Sequence, residues 1–484
     1  MHQKNNVDPT KNPEEIAATA QLPALPFKNK SFLFFIATQG LGAFNDNVFK
    51  QLVLLLGVGY VIAGVEYQAI VQFLFAIPFL LFSGLAGDIA DRFSKGRLMT
   101  ACKIAEILIA LAGVGAFLAA IPNTANSTQA PLYLWLLALV AFSLGTQSAF
   151  FGPPKYGGLP ELVREDDLAP ATGLTQMTTF LAIIFGVAIA GVLADMFADR
   201  LYIAGLITVT IAVLGTLASL GIARRPATAS KRRISLKSFV SVVPTLVDIV
   251  RYDALMLRIM LVYSWFWFVG GVTLTAINAY GRLQLGLNNF DTSLMVAMTS
   301  IGIAVGSAVV GRLSRGKVRI GLIIPGLVLL IACLIAFFWI PVHAPTTAEL
   351  ELLNQLKNAS QQLQDSTHII PSASSSVRTI AYLVLFFLGA ASGFFSVPLL
   401  TFIQARPSAD RKGKVFAAVN WLNWIFIVAS AIAYGVGITV AENRAHLLLG
   451  TLGLATLGVA LLLLPGIFKL IRQEKPEFVF EKLK

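Results

Sequence analysis

Charge is scarce in this chain. Only 13% of its 484 residues are Asp, Glu, Lys or Arg, about half of what a water-soluble domain carries, while 56% are hydrophobic. That balance excludes an ordinary soluble protein, although the length alone would suit about three soluble domains. Cysteine is nearly absent. Cys102 and Cys333 have no neighbouring partner, which argues against a disulfide framework or a thiolate metal site. Histidine is equally sparse: His2, His343, His368 and His446 all fall in tails or expected loops, so a His-built site is not expected. There is no Gly-rich phosphate loop followed by Lys-Ser/Thr, no HExxH and no His-based nucleophile pair. An enzyme, a bound cofactor and pumping by nucleotide hydrolysis are therefore not expected. Residues 1–30 hold Pro9, Pro13, Pro23 and Pro26 but no signal-peptide pattern, and read as a polar tail.

What the chain does have is long apolar runs. A bilayer is spanned by a helix of ~20 apolar residues or by a closed barrel of alternating ~10-residue strands. These runs do not alternate, so helices are expected. Twelve spans are predicted, over 31–62, 67–91, 97–121, 131–151, 169–195, 201–222, 254–281, 291–313, 318–340, 378–404, 412–438 and 444–470. The predicted fold class is an all-α integral membrane protein of twelve transmembrane helices in two pseudo-symmetric six-helix bundles. The expected domains are a tail 1–30, a bundle 31–222, a basic linker 223–253, a bundle 254–470 with one long outer loop 341–377, and a tail 471–484.

Basic residues decide the expected orientation. Loops after even-numbered spans hold Arg92, Lys95 and Arg97, then Lys155 and Arg164, then the cluster Arg224 to Lys237, and later Arg312, Arg315 and Lys317. Loops after odd-numbered spans are poor in base. The positive-inside rule puts both termini in the cytoplasm. The net charge of +12 is then cytoplasmic anchoring rather than a nucleic-acid surface. In the linker, Val243, Leu246, Val247 and Val250 recur at helical spacing, which suits a basic amphipathic helix on the cytoplasmic leaflet or a linker resting on the bundles. Asn126 and Asn358 open glycosylation sequons to which no role is given.

One turn organises the rest. Gly84-Leu-Ala-Gly87-Asp88-Ile-Ala-Asp91-Arg92 ends the second span, and Lys95-Gly96-Arg97 begins the third. Residues Asp91 to Leu98 align without a gap with Gly311 to Val318, keeping two basic residues, the Ser and the Gly. Farther on, Phe150-Phe151-Gly-Pro-Pro154 lines up with Phe394-Phe395-Ser-Val-Pro398, and in that register Gln176 falls on Asn420. A loop repeated at almost half the chain length points to two related bundles.

With Gly87, Asp91, Arg92, Gly96 and Arg97 in that turn, the chain resembles the major facilitator superfamily, departing from its usual form by the longer Ser94-Lys95 insertion. Two stretches narrow the match: Ala43-Phe-Asn-Asp46-Asn47-Val-Phe-Lys50, and Phe151-Gly-Pro-Pro-Lys155-Tyr156-Gly-Gly-Leu-Pro-Glu161-Leu. Both are similar to the bacterial lysophospholipid transporters. That resemblance implies movement of lysophospholipids across the inner membrane towards the cytoplasmic face, with a functional link to an acyltransferase. It also implies that Gly87, Asp88, Asp91, Arg92, Gly96 and Arg97 form a cytoplasmic latch between the halves, with Asp91 accepting at the start of span eleven near Gly413. Some relatives carry a basic residue within span seven; here Thr273 to Asn278 holds none.

Read from the residues alone, Asp46 lies ~22 Å into span one at helical rise. An ionisable group at that depth is a functional candidate by default. Lys50 and Asn47 share its neighbourhood, and Gln39, Gln176 and Asn420 sit at similar depth. These six are the candidate cavity residues, for a headgroup or a coupling ion. The competing reading is a self-neutralising Asp46–Lys50 pair, with the other polar groups making helix–helix hydrogen bonds. Lys155, Tyr156 and Glu161 are expected in an inner-mouth loop after Pro153-Pro154 end span four, acting as a gate or as a brace. Tyr263, Trp265, Trp267, Trp421 and Trp424 suit an apolar wall or an interfacial belt. The expected partner is a lipid-like or small amphiphilic substrate. The alternatives are a proton-coupled exporter of drugs, siderophores or other amphiphiles, and a membrane scaffold that transports nothing.

Overall fold

The computed structural model describes residues 29–62, 64–119, 132–164, 167–224, 242–314, 320–343, 346, 348–349, 351–352, 370–407 and 412–473. The tail before residue 29, both sequons, most of the basic linker, the repeated turn from Arg315 to Val318, and most of the loop 341–377 lie outside those residues.

The described chain is helical almost throughout. The helices are α1 Lys30–Gly57, α2 Tyr67–Arg92, α3 Lys95–Ala119, α4 Leu132–Leu162, α5 Leu168–Met196, α6 Leu201–Leu220 and α7 Val243–Tyr252. They continue as α8 Ala254–Ala279, α9 Asn289–Ser314, α10 Ile323–Ala336, α11 Ser375–Ala405, α12 Lys412–Val440 and α13 Ala445–Gln473. A two-stranded hairpin, β1 Val61–Ile62 and β2 Val65–Glu66, joins α1 to α2, with Gly64 at φ +78° in its turn. Helices dominate because a chain in lipid must satisfy its backbone within each segment. Asn29, Glu66, Asp253 and Ser374 start four of them by accepting from the backbone N–H three residues on.

Ten described helices are long and apolar enough to cross a membrane by length and composition. Outside that set stand α1, which carries Asp46 and Lys50 in its length, α10, which is 14 residues long, and α7, which is 10. The fold is all-α, with the long apolar helices of an integral membrane protein.

The helix packing repeats. In the first half α1 packs on α5 and α6, α2 on α4, and α3 on α4 and α6. In the second, α8 packs on α12 and α13, α9 on α11, and α10 on α11 and α13. Between the halves, α5 meets α9 and α2 meets α12, which is the same pairing reversed. Each half holds two apolar clusters, one at each end. In the second half α9 and α11 touch backbone to backbone. Gly302 and Gly306 lie against the Phe386 and Ala390 carbonyls, and Gly389 lies against the Thr299 carbonyl, so none has room for a Cβ. This is small-residue packing of the kind lipid favours.

One expectation needs correction. Pro153 and Pro154 do not end the fourth span, because α4 continues through both and through Pro160 to Leu162. Lys155, Tyr156 and Glu161 therefore stand on a helix rather than in a loop. Leu159 and Leu162 are buried with Phe32, Phe35 and Met99, and that burial offsets the backbone bonds the prolines cannot make. The linker helix α7 packs Leu246 and Ile249 against the second half, while Val243, Val247 and Val250 stay exposed.

Candidate substrate cavity

The halves meet at the hairpin end. Gln51 Nε2 on α1 donates to Asn278 Oδ1 on α8 at 2.9 Å, and Gln68 Nε2 on α2 donates to Tyr434 Oη on α12 at 3.0 Å. Asp195, at the end of α5, accepts from the backbone N–H groups of Asn289 (3.1 Å) and Phe290 (2.7 Å) and from Asn289 Nδ2 (2.8 Å). It thereby satisfies the open N-terminus of α9 in the other half, where the helix dipole favours an anion. At mid-depth Phe79 of α2 stacks on Trp424 of α12 with ring centroids 3.8 Å apart, and Trp421 Nε1 donates to the Leu80 carbonyl at 3.3 Å. These two tryptophans close the seam between the halves rather than forming an interfacial belt.

Gly87 has open space where a side chain would project, and Asp91, Tyr156, Gln176 and Asn420 are exposed. Tyr156 and Gln176 of the first half and Asn420 of the second are thus exposed on the side that carries the α2–α3 turn. Asp91 has no hydrogen bond or ion pair among the described residues. Gly96 packs tightly on the Ala223 carbonyl, Arg97 is exposed, and Asp88 and Arg92 are half-buried and have partners of their own. Lys95 pairs with Glu161 and lies along Gly157 and Gly158, bracing α3 to the end of α4.

The predicted cavity residues separate into groups. Gln39 is tied to α5, accepting from Thr179 Oγ1 at 2.7 Å and donating to Thr178 Oγ1 at 2.6 Å. Asn47 bonds its own helix at the Ala43 carbonyl, 2.7 Å away. Those two make helix contacts. Gln176 and Asn420 are exposed on α5 and α12. Asp46 takes a 2.6 Å hydrogen bond from Ser148 Oγ on α4, and its Oδ1 is buried without a partner. Lys50 lies over the Phe75 ring, 5.1 Å from its centroid, rather than on Asp46. Lys155 is buried, donates to Thr179 Oγ1 at 3.2 Å, and lies within electrostatic reach of Asp46. Asp46 also feels Lys50, Lys103 and Glu106. The structure thus gathers Asp46, Lys50 and Lys155 from α1 and α4 into one charged region.

Lys103 and Glu106 are not among the residues singled out from the sequence. They form an ion pair on α3 with side chains 0% and 1% exposed. The signal was present, because two charges three residues apart inside an apolar run mark a site of interest. Beside the hairpin, Glu66 is buried, accepting from Gln68 Nε2 at 3.0 Å and from the Ala69 N–H at 3.2 Å. Burial pushes its carboxyl up to about 7.

Comparison with known proteins agrees with this architecture. A family model described as Major Facilitator Superfamily matches residues 31–431. The lysophospholipid transporter LplT of Salmonella typhimurium (strain LT2) is 28% identical over 388 residues, covering 78% of this chain and 80% of the relative. The protein of the same name from Salmonella newport (strain SL254) matches to the same extent. Among solved structures, a peptide transporter POT in complex with sulfate superposes with TM-score 0.62 at 14% identity, over 93% of this chain and 97% of that one. A D-xylose-proton symporter gives 0.56 at 14% identity, over 89% and 96%. These two share the fold.

Proposed function

Since the chain belongs to the major facilitator superfamily and is therefore a membrane transporter rather than an enzyme, we propose that its cargo is a lysophospholipid, moved by alternating access. What supports this reading is charge on α1 and α4 together with exposed apolar side chains on helices that pack on α1. Asp46, Lys50 and Lys155 offer both signs of charge, as a zwitterionic headgroup requires. The exposed Met177, Phe180 and Phe185 on α5 and Trp267 on α8 offer apolar surface for a single acyl chain. The similarity to lysophospholipid transporters supports the same cargo.

The bundles 31–222 and 254–470 rock against each other in this reading. The seal at Asp195 and Gln68 then breaks while Asp91 swings to the start of α12. The basic turns orient the open end to the cytoplasm, with both termini inside and the chain in the inner membrane. Delivery on that face supplies an acyltransferase with its acceptor. Reconstitution into liposomes with labelled lysophosphatidylethanolamine tests the proposal. Protein-dependent uptake is expected, with Asp46→Asn reducing it at least about tenfold, as loss of one buried polar contact worth ~1.4 kcal/mol does. Export of unrelated amphiphiles with no lysophospholipid flux would replace this cargo with another, and no flux at all would favour a scaffold.

A further inference from the structure

We propose that the buried pair Lys103–Glu106 positions Asp46, acting through Asn45, Gln147 and Ser148; the inference rests on Asp46 belonging to the cavity. Neither charge faces that cavity. Lys103 Nζ sits in a niche between helices, 3.2 Å from where a Cβ on Gly42 of α1 would stand and 2.9 Å from one on Gly215 of α6. A Cβ at Gly215 would press on the ammonium, and one at Gly42 would crowd it. Lys103 binds one Glu106 oxygen, Oε2. Asn45 Nδ2 on α1 donates to the other, Oε1, at 2.9 Å, and Gln147 Nε2 on α4 donates to Oε2 at 3.4 Å. One carboxylate on α3 therefore grips the residue before Asp46 and the residue before Ser148.

Ser148 Oγ lies 2.6 Å from Asp46 Oδ2 and 3.1 Å from Gln147 Oε1. A hydroxyl has one proton, so it donates to one acceptor or the other. Gln147 Nε2 also donates to the Cys102 carbonyl at 3.1 Å, which pins the amide so that its oxygen faces Ser148. The Ser148 proton is held between Gln147 and Asp46, and the pair fixes the geometry on both sides. A charge pair this deep is expensive to build and a well-packed apolar substitute stabilises as well, so bundle stability alone does not account for it.

The double variant Lys103→Met/Glu106→Gln removes both charges at once and keeps the net charge, so the protein is expected to fold. In proteoliposomes its KM for lysophosphatidylethanolamine should rise about tenfold with little change in maximal rate, the scale of one lost buried hydrogen bond. Adding Asp46→Asn should then cost no more than Asp46→Asn alone, because both act on one element. Lys103→Arg/Glu106→Asp, which keeps the charges and displaces them, should recover only part of the affinity. If the neutral pair does not fold, Gln147→Met breaks the same chain without touching a charge and carries the same expectation.

A neutral pair with wild-type KM would overturn the inference while leaving the cavity reading standing. So would costs that multiply with those of Asp46→Asn. Wild-type transport by Asp46→Asn would overturn the cavity reading, and this inference with it.

Discussion

The two halves share one helix-packing pattern and differ in what fills it. Between its apolar clusters the first half holds Lys103, Glu106, Asp46, Lys50 and Lys155. At the matching depth the second half holds neutral bonds: Ser264 Oγ to Asn423 Oδ1 at 2.8 Å, and Trp265 Nε1 to Thr456 Oγ1 at 3.3 Å. Its closest helix pair is joined by glycines rather than charges. The repeat supplied two copies of a scaffold, and the polar work is concentrated in one. The second copy contributes Trp421 and Trp424 to the seam between the halves.

That contrast can be broken at several points. The largest effect is expected in the first half. Lys103→Met alone leaves Glu106 buried and uncompensated and should cost about 3–5 kcal/mol, read as a fall in thermal stability in detergent. In the second half the matching weak point is steric. Gly389→Val meets the Thr299 carbonyl and should cost about 1–3 kcal/mol by the same measurement. Ser264→Ala, which removes one neutral interhelical bond, should cost only ~0.6 kcal/mol. If Ser264→Ala proved as damaging as Lys103→Met, the two halves would not differ as described.

A pH effect sharpens the same comparison at the seam. Glu66 faces Gln68 and, through it, Tyr434 of the second half, with its carboxyl pushed up to about 7 by burial. On opening, the group returns to water and its ordinary value of 4.5. The sealed form therefore holds the extra proton between those values. Its advantage is present below about pH 4.5 and is lost as pH rises through about 7. A cysteine placed at Ser293, beside the seal, should react faster with a thiol reagent at about pH 8 than at about pH 5.5 by a larger factor than the rise in its own thiolate fraction gives. Glu66→Gln should flatten that difference.

Much of the fold was legible because bilayer thickness leaves few choices. The predicted spans 67–91, 169–195 and 412–438 match α2, α5 and α12 to within two residues at either end. The errors fell where local rules were overruled. Pro153 and Pro154 read as a stop, but burial of Leu159 and Leu162 carried α4 onward. Span nine was expected over 318–340, whereas the α-helix is Ile323–Ala336 with a looser turn before it.

The candidate site was legible in part. Asp46 and Lys155 stand out by depth and motif, and the structure places them in one charged region. Gln39 and Asn47 were indistinguishable from them by depth, since spacing along a helix does not say which polar group is already satisfied by a neighbour. Asp195 could not be found from spacing, because its partner is the start of a helix 94 residues away.

The most direct test of the account compares the halves in one assay. Uptake of labelled lysophosphatidylethanolamine into proteoliposomes is measured for Asp46→Asn and for Asn420→Ala, each checked for folding. The account predicts a large loss in the first and near wild-type flux in the second. Full flux in Asp46→Asn, or equal losses in both, would contradict it.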